Sequence, residues 1–438
     1  MVALLFINIK QLVGVHKQNT VLRGSQLAEL PILENAFLLV EDGIIVDFGA
    51  MYALEINVPQ LPKNVIDCQG QFILPCWCDS HTHLVFTTTR EEEFIDKING
   101  VSYAEIAAKG GGILNSANKL NRATEDELFN SAWQRLQEVS KLGTGAIEIK
   151  SGYGLTVEGE IKMLRVIKRL KEKSNLIIKS TFLAAHTYPL AYKENHQGYI
   201  DLIINEMLPI IGTEKLADYI DVFCEEEFFS VQEMETICKA GMHYGLKPKL
   251  HVNQLNSLGG IKYATQLNAV SVDHLEVIAG DDINYLAPSN TIGTLLPSAA
   301  FFLRMPYQPA RQLIESNCAI ALASDYNPGS SPSGNMNFVV ALSCIQLKML
   351  PQEAINAATI NGACAMEVQN EVGSIAIGKK ANLIFTKPIP SLAYIPYSFG
   401  TNLIDKVMIN GEYINSVSYT HLRAHETGRN LVCRLLLE

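Results

Sequence analysis

Short apolar segments alternate with helical segments through the middle of the chain, and this alternation limits the fold more than any other feature. Residues 146–149 and 221–224 are apolar runs of strand length, and residues 158–171 between them have helical spacing. Thr124 and Glu127 form a capping box at the start of an earlier helix. Strands that alternate with helices in this way belong to parallel sheets, so the middle of the chain is predicted to be α/β.

Histidine or aspartate residues follow several of these apolar runs. They are His81 and His83 after 72–78, His251 after 246–250, His274 after 269–273, and Asp325 after 319–324. The runs number roughly eight, which predicts a (β/α)8 TIM-like barrel, and catalytic groups of such barrels sit at the carboxyl ends of the strands. A doubly wound sheet is the alternative fold, but its glycine-rich phosphate loop is absent from the sequence.

Four of these side chains form a donor set for one divalent metal ion, zinc or iron. His81 and His83 are two residues apart, so in a strand both point to the same face. Together with His251 and Asp325 they offer three nitrogens and one oxygen, which suits zinc or a similar ion. Such an ion lowers the pKa of a bound water toward neutrality. The set therefore predicts a metal-dependent hydrolase.

Proton transfer is assigned to residues at the same strand ends. His274 is not needed as a ligand and suits a general base or an electrophilic partner for the bound water. Asp325 could also take the proton of this water, whereas Gln254 can orient a substrate or water but is not a base. Lys150 and Glu225 leave a bridged two-metal site open as an alternative. One metal is the simpler interpretation, with Lys150 in a structural ion pair.

Five blocks of sequence carry a resemblance to a known family. They are residues 79–83, 150–154, 185–186, 274–276 and 325–331. In this order, over about residues 36–412, they resemble the signature blocks of the imidazolonepropionases, the amidohydrolases of histidine breakdown. The resemblance implies a metal-dependent barrel with a composite β-domain. It also implies hydrolysis of the imidazolone ring of 4-imidazolone-5-propanoate to N-formimidoyl-L-glutamate.

The resemblance further implies which residues contact the substrate. They are Arg90, Tyr103, Tyr153, His186, Gln254, Asn327, Gly329 and Ser330. Arg90 suits the propanoate carboxylate because a guanidinium can bind it through two hydrogen bonds. Gly329 and Ser330 could offer backbone N–H groups to an anion. Gln254 stands where some relatives carry an acid, which moves the role of the base toward His274 and Asp325.

Two other functions are open to such a chain. One is a related amidohydrolase, a deaminase or cyclic-amide hydrolase, that acts on another small ring. Arg90 and the block around Tyr153 favour a substrate with a carboxylate over a neutral nucleobase. The other is a catalytically inactive barrel kept as an interaction scaffold. That function predicts lost ligands, whereas all four are present in the sequence.

The two ends of the chain differ from the middle. Residues 1–70 and 373–416 are predicted to form one small composite β-domain, a β-sandwich, and residues 71–372 the barrel. Asp42 and Gly43 between two apolar runs predict a hairpin. Residues 417–438 resemble a translated sequencing-library adapter and are expected to be a non-native tail. His421 and His425 in that tail are therefore not assigned to a site.

Composition argues against some classes of binding partner and indicates the cellular compartment. The net charge of −10 argues against a nucleic-acid surface, which needs clustered Lys and Arg. No run approaches the roughly 18 apolar residues of a membrane span, and the first residues lack the features of a signal peptide. The nine cysteines include no C-x-x-C pair and fit buried thiols of a cytoplasmic protein. The expected partner is a small-molecule substrate, and the sequence is compatible with a homodimer.

Overall fold

The computed structural model describes residues 3–101 and 111–414. Their strands form two sheets of eight strands each. The first sheet combines strands from both ends of the described chain, and the second is built from the middle. All neighbouring strands of the second sheet are parallel, which confirms the predicted α/β class.

The first sheet has the order β16-β15-β14-β5-β1-β2-β3, with β4 beside β1. Its strands are β1 Ala3–Val13, β2 Ile32–Glu41, β3 Ile44–Ala50, β4 Asn64–Asp67, β5 Phe72–Pro75, β14 Leu383–Thr386, β15 Ile404–Ile409 and β16 Glu412–Tyr413. Asp42 and Gly43 join β2 to β3 with φ angles of 47° and 82°, as a two-residue hairpin turn of type I′ requires. The predicted β-domain is thus hydrogen-bonded as one sheet, while its limits at 70 and 373 stay predictions.

The second sheet is the barrel, and its strands follow one another in chain order from β6 to β13. They are β6 Trp77–Asp79, β7 Thr144–Lys150, β8 Ile177–Ala185, β9 Tyr219–Cys224, β10 Lys247–Val252, β11 Ser271–His274, β12 Ile292–Leu295 and β13 Ile320–Leu322. These short strands consist largely of buried apolar residues, because helices cover the outside of a parallel barrel. The predicted eight-stranded barrel is therefore confirmed.

The segments that follow the first and the last barrel strand close the barrel at its carboxyl end. The N–H of Asp325 donates to the carbonyl of His81 at 3.0 Å, and the N–H of His83 donates to the carbonyl of Tyr326 at 2.9 Å. Thr82 and Tyr326 form a parallel bridge between them. Closure of the barrel therefore places His81 and His83, which follow its first strand, next to Asp325, which follows its last strand.

Helices connect the barrel strands and complete the fold. The α-helices of the described chain are Leu54–Asn57, Glu91–Ile98, Gly112–Arg122, Glu125–Lys141, Val157–Lys173, His196–Leu202, Leu208–Glu214, Val231–His243, Gly260–Gln266, Asp282–Leu286, Pro297–Leu303, Ala310–Glu315, Met336–Ile345, Pro351–Ala358, Ile360–Ala365 and Tyr394–Tyr397. The capping box predicted at Thr124 is present: its hydroxyl accepts from the N–H of Glu127, whose carboxylate accepts from the N–H of Thr124. None of these helices is both long and apolar enough to cross a membrane.

Candidate metal and substrate site

Three imidazoles meet at the carboxyl end of the barrel. His81 and His83 lie just after β6, and His251 is on β10. The ring centroids of His81 and His251 are 4.4 Å apart, and that of His83 lies 5.4 Å from His81 and 5.3 Å from His251. One nitrogen of each ring lies within 4.8 Å of the others, and all three side chains are buried. This is the spacing that three ligands of one ion require.

Asp325 adds a carboxylate to this cluster. Its Oδ1 lies 3.5 Å from Nε2 of His81 and 3.6 Å from Nε2 of His83. Burial raises the pKa of Asp325 to about 6, although the positive charge of His274 lowers it in part. Asp325 has a φ of 54°, a left-handed backbone that non-glycine residues adopt mainly at functional or strained positions. Asp325 thus lies beside two of the three imidazoles of the predicted set.

The orientation of the imidazoles fits a metal ion. Nδ1 of His81 lies 2.7 Å from Oδ2 of Asp273, and Nδ1 of His251 lies 2.8 Å from Oδ2 of Asp221. A carboxylate can only accept, so each Nδ1 carries the proton and each Nε2 keeps its lone pair for a ligand. Nε2 of His81 is buried without a hydrogen-bond partner. Burial, more than any neighbouring charge, holds the pKa of His81, His83 and His251 well below the usual value, which keeps the rings neutral.

His274 lies beside His81 and His251. Its ring centroid is 5.6 Å from that of His81 and 5.1 Å from that of His251, and its Nδ1 is 3.4 Å from Oε1 of Glu276. Burial would lower the pKa of His274, but the carboxylates of Glu276 and Asp325 outweigh it and raise the pKa above its usual value. His274 can therefore hold or release a proton beside the cluster.

The two residues considered as metal bridges have other partners. Nζ of Lys150 lies 2.9 Å from carboxylate oxygens of both Glu148 and Asp221, so the structural ion pair expected for this lysine is present. The carboxylate of Glu225 accepts from the N–H groups of residues 254–256 at 2.6 to 3.0 Å. Glu225 thereby fixes the loop that carries Gln254. This geometry favours a one-metal site over the bridged alternative.

Tyr153 and His186 pack against His83. The ring of His186 stacks on His83 at 5.3 Å, and Tyr153 lies 5.9 Å from His83 and 5.6 Å from His186. The carboxylate of Glu160 accepts from three N–H groups of residues 152–155, at 2.7 to 2.9 Å. A buried acid from the following helix thus holds the loop of Tyr153 against the cluster.

Arg90 lies beside Tyr153, which in turn lies beside His83. Its guanidinium lies 5.8 Å from the ring centroid of Tyr153, and its Nε donates to Oγ of Ser116 at 3.0 Å. Its Nη2 is buried without a hydrogen-bond partner. A Cβ at Gly329 would come within 2.7 Å of Nη1, so a larger residue there would displace the guanidinium. Nη2 of Arg90 is therefore a charged donor for which the described residues supply no acceptor.

The turn at residues 327–331 corrects one expectation. The N–H groups of Gly329 and Ser330 both donate to Oδ1 of Asn327 at 2.8 Å. They are therefore engaged within the turn and are not free for an anion. The hydroxyl of Ser330 lies 3.2 Å from Oδ2 of Asp325, so this turn supports the ligand. Tyr103, the other predicted substrate residue, lies outside the described residues.

Sequence reasoning missed the acids that hold the site in place. Asp221 and Asp273 orient two of the ligands, and Glu160 and Glu225 hold two of the loops. A signal for the first two was available, because each is a single charge within an apolar strand. Such a residue either points into the barrel or interrupts the strand, and a buried charge requires a partner.

Comparisons with known proteins agree with this geometry. Residues 72–414 match the model of the amidohydrolase family. Imidazolonepropionase of Flavobacterium johnsoniae is 56% identical over 93% of this chain and 98% of that protein. Imidazolonepropionase of Christiangramia forsetii is 53% identical over 94% of this chain and 100% of that protein.

Solved structures support the fold. The guanine deaminase of E. coli superposes with a TM-score of 0.70 at 13% identity, over 95% of this chain and 99% of that one. The 5-methylcytosine deaminase of Klebsiella pneumoniae, liganded with 5-fluorocytosine, also has a TM-score of 0.70, at 15% identity over 96% and 99% of the two chains. At this identity the likeness concerns the fold alone. The chain belongs to the amidohydrolase family and, within it, to the imidazolonepropionases.

Proposed function

We propose that this protein hydrolyses the imidazolone ring of 4-imidazolone-5-propanoate to N-formimidoyl-L-glutamate, with one divalent ion, zinc or iron. The supporting observation is the row of contacts that runs from His83 through Tyr153 to Arg90. Tyr153 lies 5.9 Å from His83 and 5.8 Å from the guanidinium of Arg90. A small ring with a carboxylate tail fits such a row, with the ring at the cluster and the carboxylate at Arg90.

His81, His83, His251 and Asp325 would hold the ion, because the three imidazoles each have a nitrogen within 4.8 Å of the others and Oδ1 of Asp325 lies 3.5 and 3.6 Å from Nε2 of His81 and His83. When bound, such an ion polarises a carbonyl and lowers the pKa of a water. The neutral state of the three imidazoles, which their lowered pKa values favour, leaves their lone pairs available for this purpose.

The chain's own residues would move the proton. The oxygen of the attacking water forms a bond to the ring carbonyl carbon, and the bond from this carbon to the ring nitrogen breaks. Asp325 or His274 accepts the proton of the water and returns a proton to the leaving nitrogen. The pKa of Asp325, raised to about 6, lies closer to neutrality than that of an exposed carboxylate, as general acid–base catalysis favours.

Substrate binding is assigned to the residues around this row. Arg90 binds the propanoate carboxylate, since its buried Nη2 has no partner of its own. Tyr153 and His186 pack against the ring, and Gln254 orients the ring or the water. The turn that contains Asn327, Gly329 and Ser330 lines the site beside Arg90 and Asp325. Tyr103 stays a predicted substrate contact.

The test is turnover of imidazolone propanoate, generated in place by urocanase, with quantification of formimidoylglutamate. Metal content is measured on the same preparation by mass spectrometry. We expect formimidoylglutamate and one equivalent of zinc or iron per chain. A metal-loaded protein without turnover would reject this substrate and favour a deaminase or another cyclic-amide hydrolase. Turnover that persists after complete metal removal would reject the metal site.

The cellular compartment and the oligomeric state of the protein are also proposals. The eight cysteines in the described ranges are free thiols, and seven of them are buried. Unpaired thiols are typical of reducing compartments, so we propose a cytoplasmic enzyme. A homodimer remains compatible with the sequence and is tested by sedimentation of the purified protein.

A further inference from the structure

The barrel encloses charged side chains where such barrels usually hold apolar ones. They are Glu148 and Lys150 on β7, Asp221 on β9, Lys249 on β10 and Asp273 on β11, and at most 1% of any of them is exposed. Buried charges are unfavourable unless they are paired and hydrogen-bonded. We call these five residues the charged layer. Its arrangement needs an explanation beyond stability, because apolar side chains would pack there at lower cost.

Lys150 is the centre of the charged layer. Its Nζ lies 2.9 Å from Oε1 of Glu148, 2.9 Å from Oδ2 of Asp221 and 3.6 Å from Oδ2 of Asp273. An ammonium has three hydrogens to donate, and the three carboxylates come from three different strands. The ammonium therefore ties β7, β9 and β11 together at one point.

The same two aspartate oxygens hold the metal ligands. Oδ2 of Asp273 accepts from Nδ1 of His81, and Oδ2 of Asp221 accepts from Nδ1 of His251. One ammonium thus contacts both of the oxygens that aim the two imidazoles. An imidazole held at Nδ1 has its Nε2 lone pair fixed in direction, so the position of the carboxylate sets the position of the ligand atom.

We propose that Lys150 is a positioning residue of the metal centre. Its ammonium holds Asp221 and Asp273 together and thereby fixes His251 and His81 in ligating orientation before any ion binds. Without this charge, two buried carboxylates would face each other and move apart, and the two imidazoles would follow them. This inference rests on the metal site of the proposed function and adds a residue that does not touch the ion.

The chain offers a matched control in Lys249. It is also fully buried in the charged layer, but its Nζ donates to Oγ of Ser271 at 2.9 Å and to the carbonyl of Ala365 at 3.0 Å. Its ion pair in the described structure is with Glu148 at 3.8 Å. Lys150→Met and Lys249→Met therefore remove the same charge from the same layer, but only the first removes direct contact with both aspartates, since Lys249 is linked to Asp273 through the hydroxyl of Ser271, which donates to Oδ1 of Asp273.

The experiment measures Co²⁺ affinity of the metal-stripped full-length proteins by competition with a chelator, together with the visible absorption of the Co²⁺ form. We expect Lys150→Met to bind Co²⁺ about ten- to a hundred-fold more weakly, with altered absorption bands, as losses of outer partners of metal ligands usually do. Lys249→Met should stay within about three-fold of the wild type. Equal affinity and absorption for Lys150→Met, or an equal loss in both variants, would overturn the assignment.

A second measurement applies if Lys150→Met does not fold. In the metal-free wild type labelled with ¹⁵N-histidine, the proposal requires His81 and His251 to carry their protons at Nδ1 before the ion arrives. Protons at Nε2, or a mixture of the two forms, would overturn it. If both rings carry their protons at Nδ1 but the wild type binds no Co²⁺, the metal site of the proposed function is rejected. Failure of the positioning role and failure of the metal site therefore give different results.

Discussion

The carboxylate of Asp79 accepts two hydrogen bonds from Ser324, one from its N–H at 3.0 Å and one from its hydroxyl at 2.5 Å. Asp79 ends β6, and Ser324 follows β13, so this pair joins the first and last strands of the barrel. Each residue lies one or two positions from a candidate metal ligand, His81 or Asp325. Barrel closure and assembly of the ligands therefore depend on the same contact.

Ser324→Ala tests this closure. Asp79 is fully buried, and the loss of the hydroxyl leaves one of its oxygens without this donor, so the free energy of unfolding should fall by about 1–3 kcal/mol. Urea denaturation of the metal-free protein measures it. Ser343→Ala is the matched control, since the buried hydroxyl of Ser343 donates only within its own helix, to the carbonyl of Val339. A loss no larger than that of the control would show that closure does not depend on the pair.

Asp325→Ala should abolish turnover and reduce the metal content of the purified protein. The substitution removes a carboxylate that lies within 3.6 Å of both His81 and His83. Metal analysis and the formimidoylglutamate assay check the two effects on one sample. Asp67→Ala, at an exposed position in the terminal sheet, is the control that should change neither. Retained activity in Asp325→Ala would reject the assignment of the ligands.

Arg90→Lys tests the carboxylate contact. Lysine keeps the charge but loses the paired donors of the guanidinium, and a hydrogen bond to a charged group contributes about 1.5–3 kcal/mol. We expect kcat/KM for imidazolone propanoate to fall about ten- to a hundred-fold. An imidazolone with an ethyl group in place of the propanoate is the internal control, because its already lower kcat/KM should not change. A parallel loss for both compounds would show that Arg90 supports the site without binding the carboxylate.

His16 predicts a pH dependence of stability. Burial lowers the pKa of His16 more than its hydrogen bond to Oδ1 of Asn356 raises it. Below the ordinary pKa of about 6.5 the unfolded chain then binds a proton that the folded protein does not, so stability is full above this pH and is lost as the pH falls. The slope from this one group is at most about 1.4 kcal/mol per pH unit.

The variant His16→Gln keeps a hydrogen-bonding side chain beside Asn356 and removes the titration. Its free energy of unfolding should fall less than that of the wild type between about pH 7.5 and pH 5. An unchanged slope in His16→Gln would assign the acid sensitivity to other groups.

The candidate ligands could be found from the sequence because the signal is local. An apolar run ends within a few residues of each of His81, His83, His251 and Asp325, and parallel strands end at one face by geometry. The capping box at Thr124 and the Asp42–Gly43 turn are local in the same sense, and both are present. The order of residues along the chain was sufficient to predict all of these features.

The partners of the ligands were decided only by the tertiary structure. Asp273 is 192 residues from His81, and Asp221 is 30 residues from His251. The N–H groups of Gly329 and Ser330, expected to face an anion, are bound by Asn327 because of the way one turn folds. By itself the sequence determined which strands exist and which polar residues end them, since apolar periodicity is a short-range property. Which acid faces which imidazole depends on strand order, stagger and closure of the barrel, and these arise only when distant strands pack together.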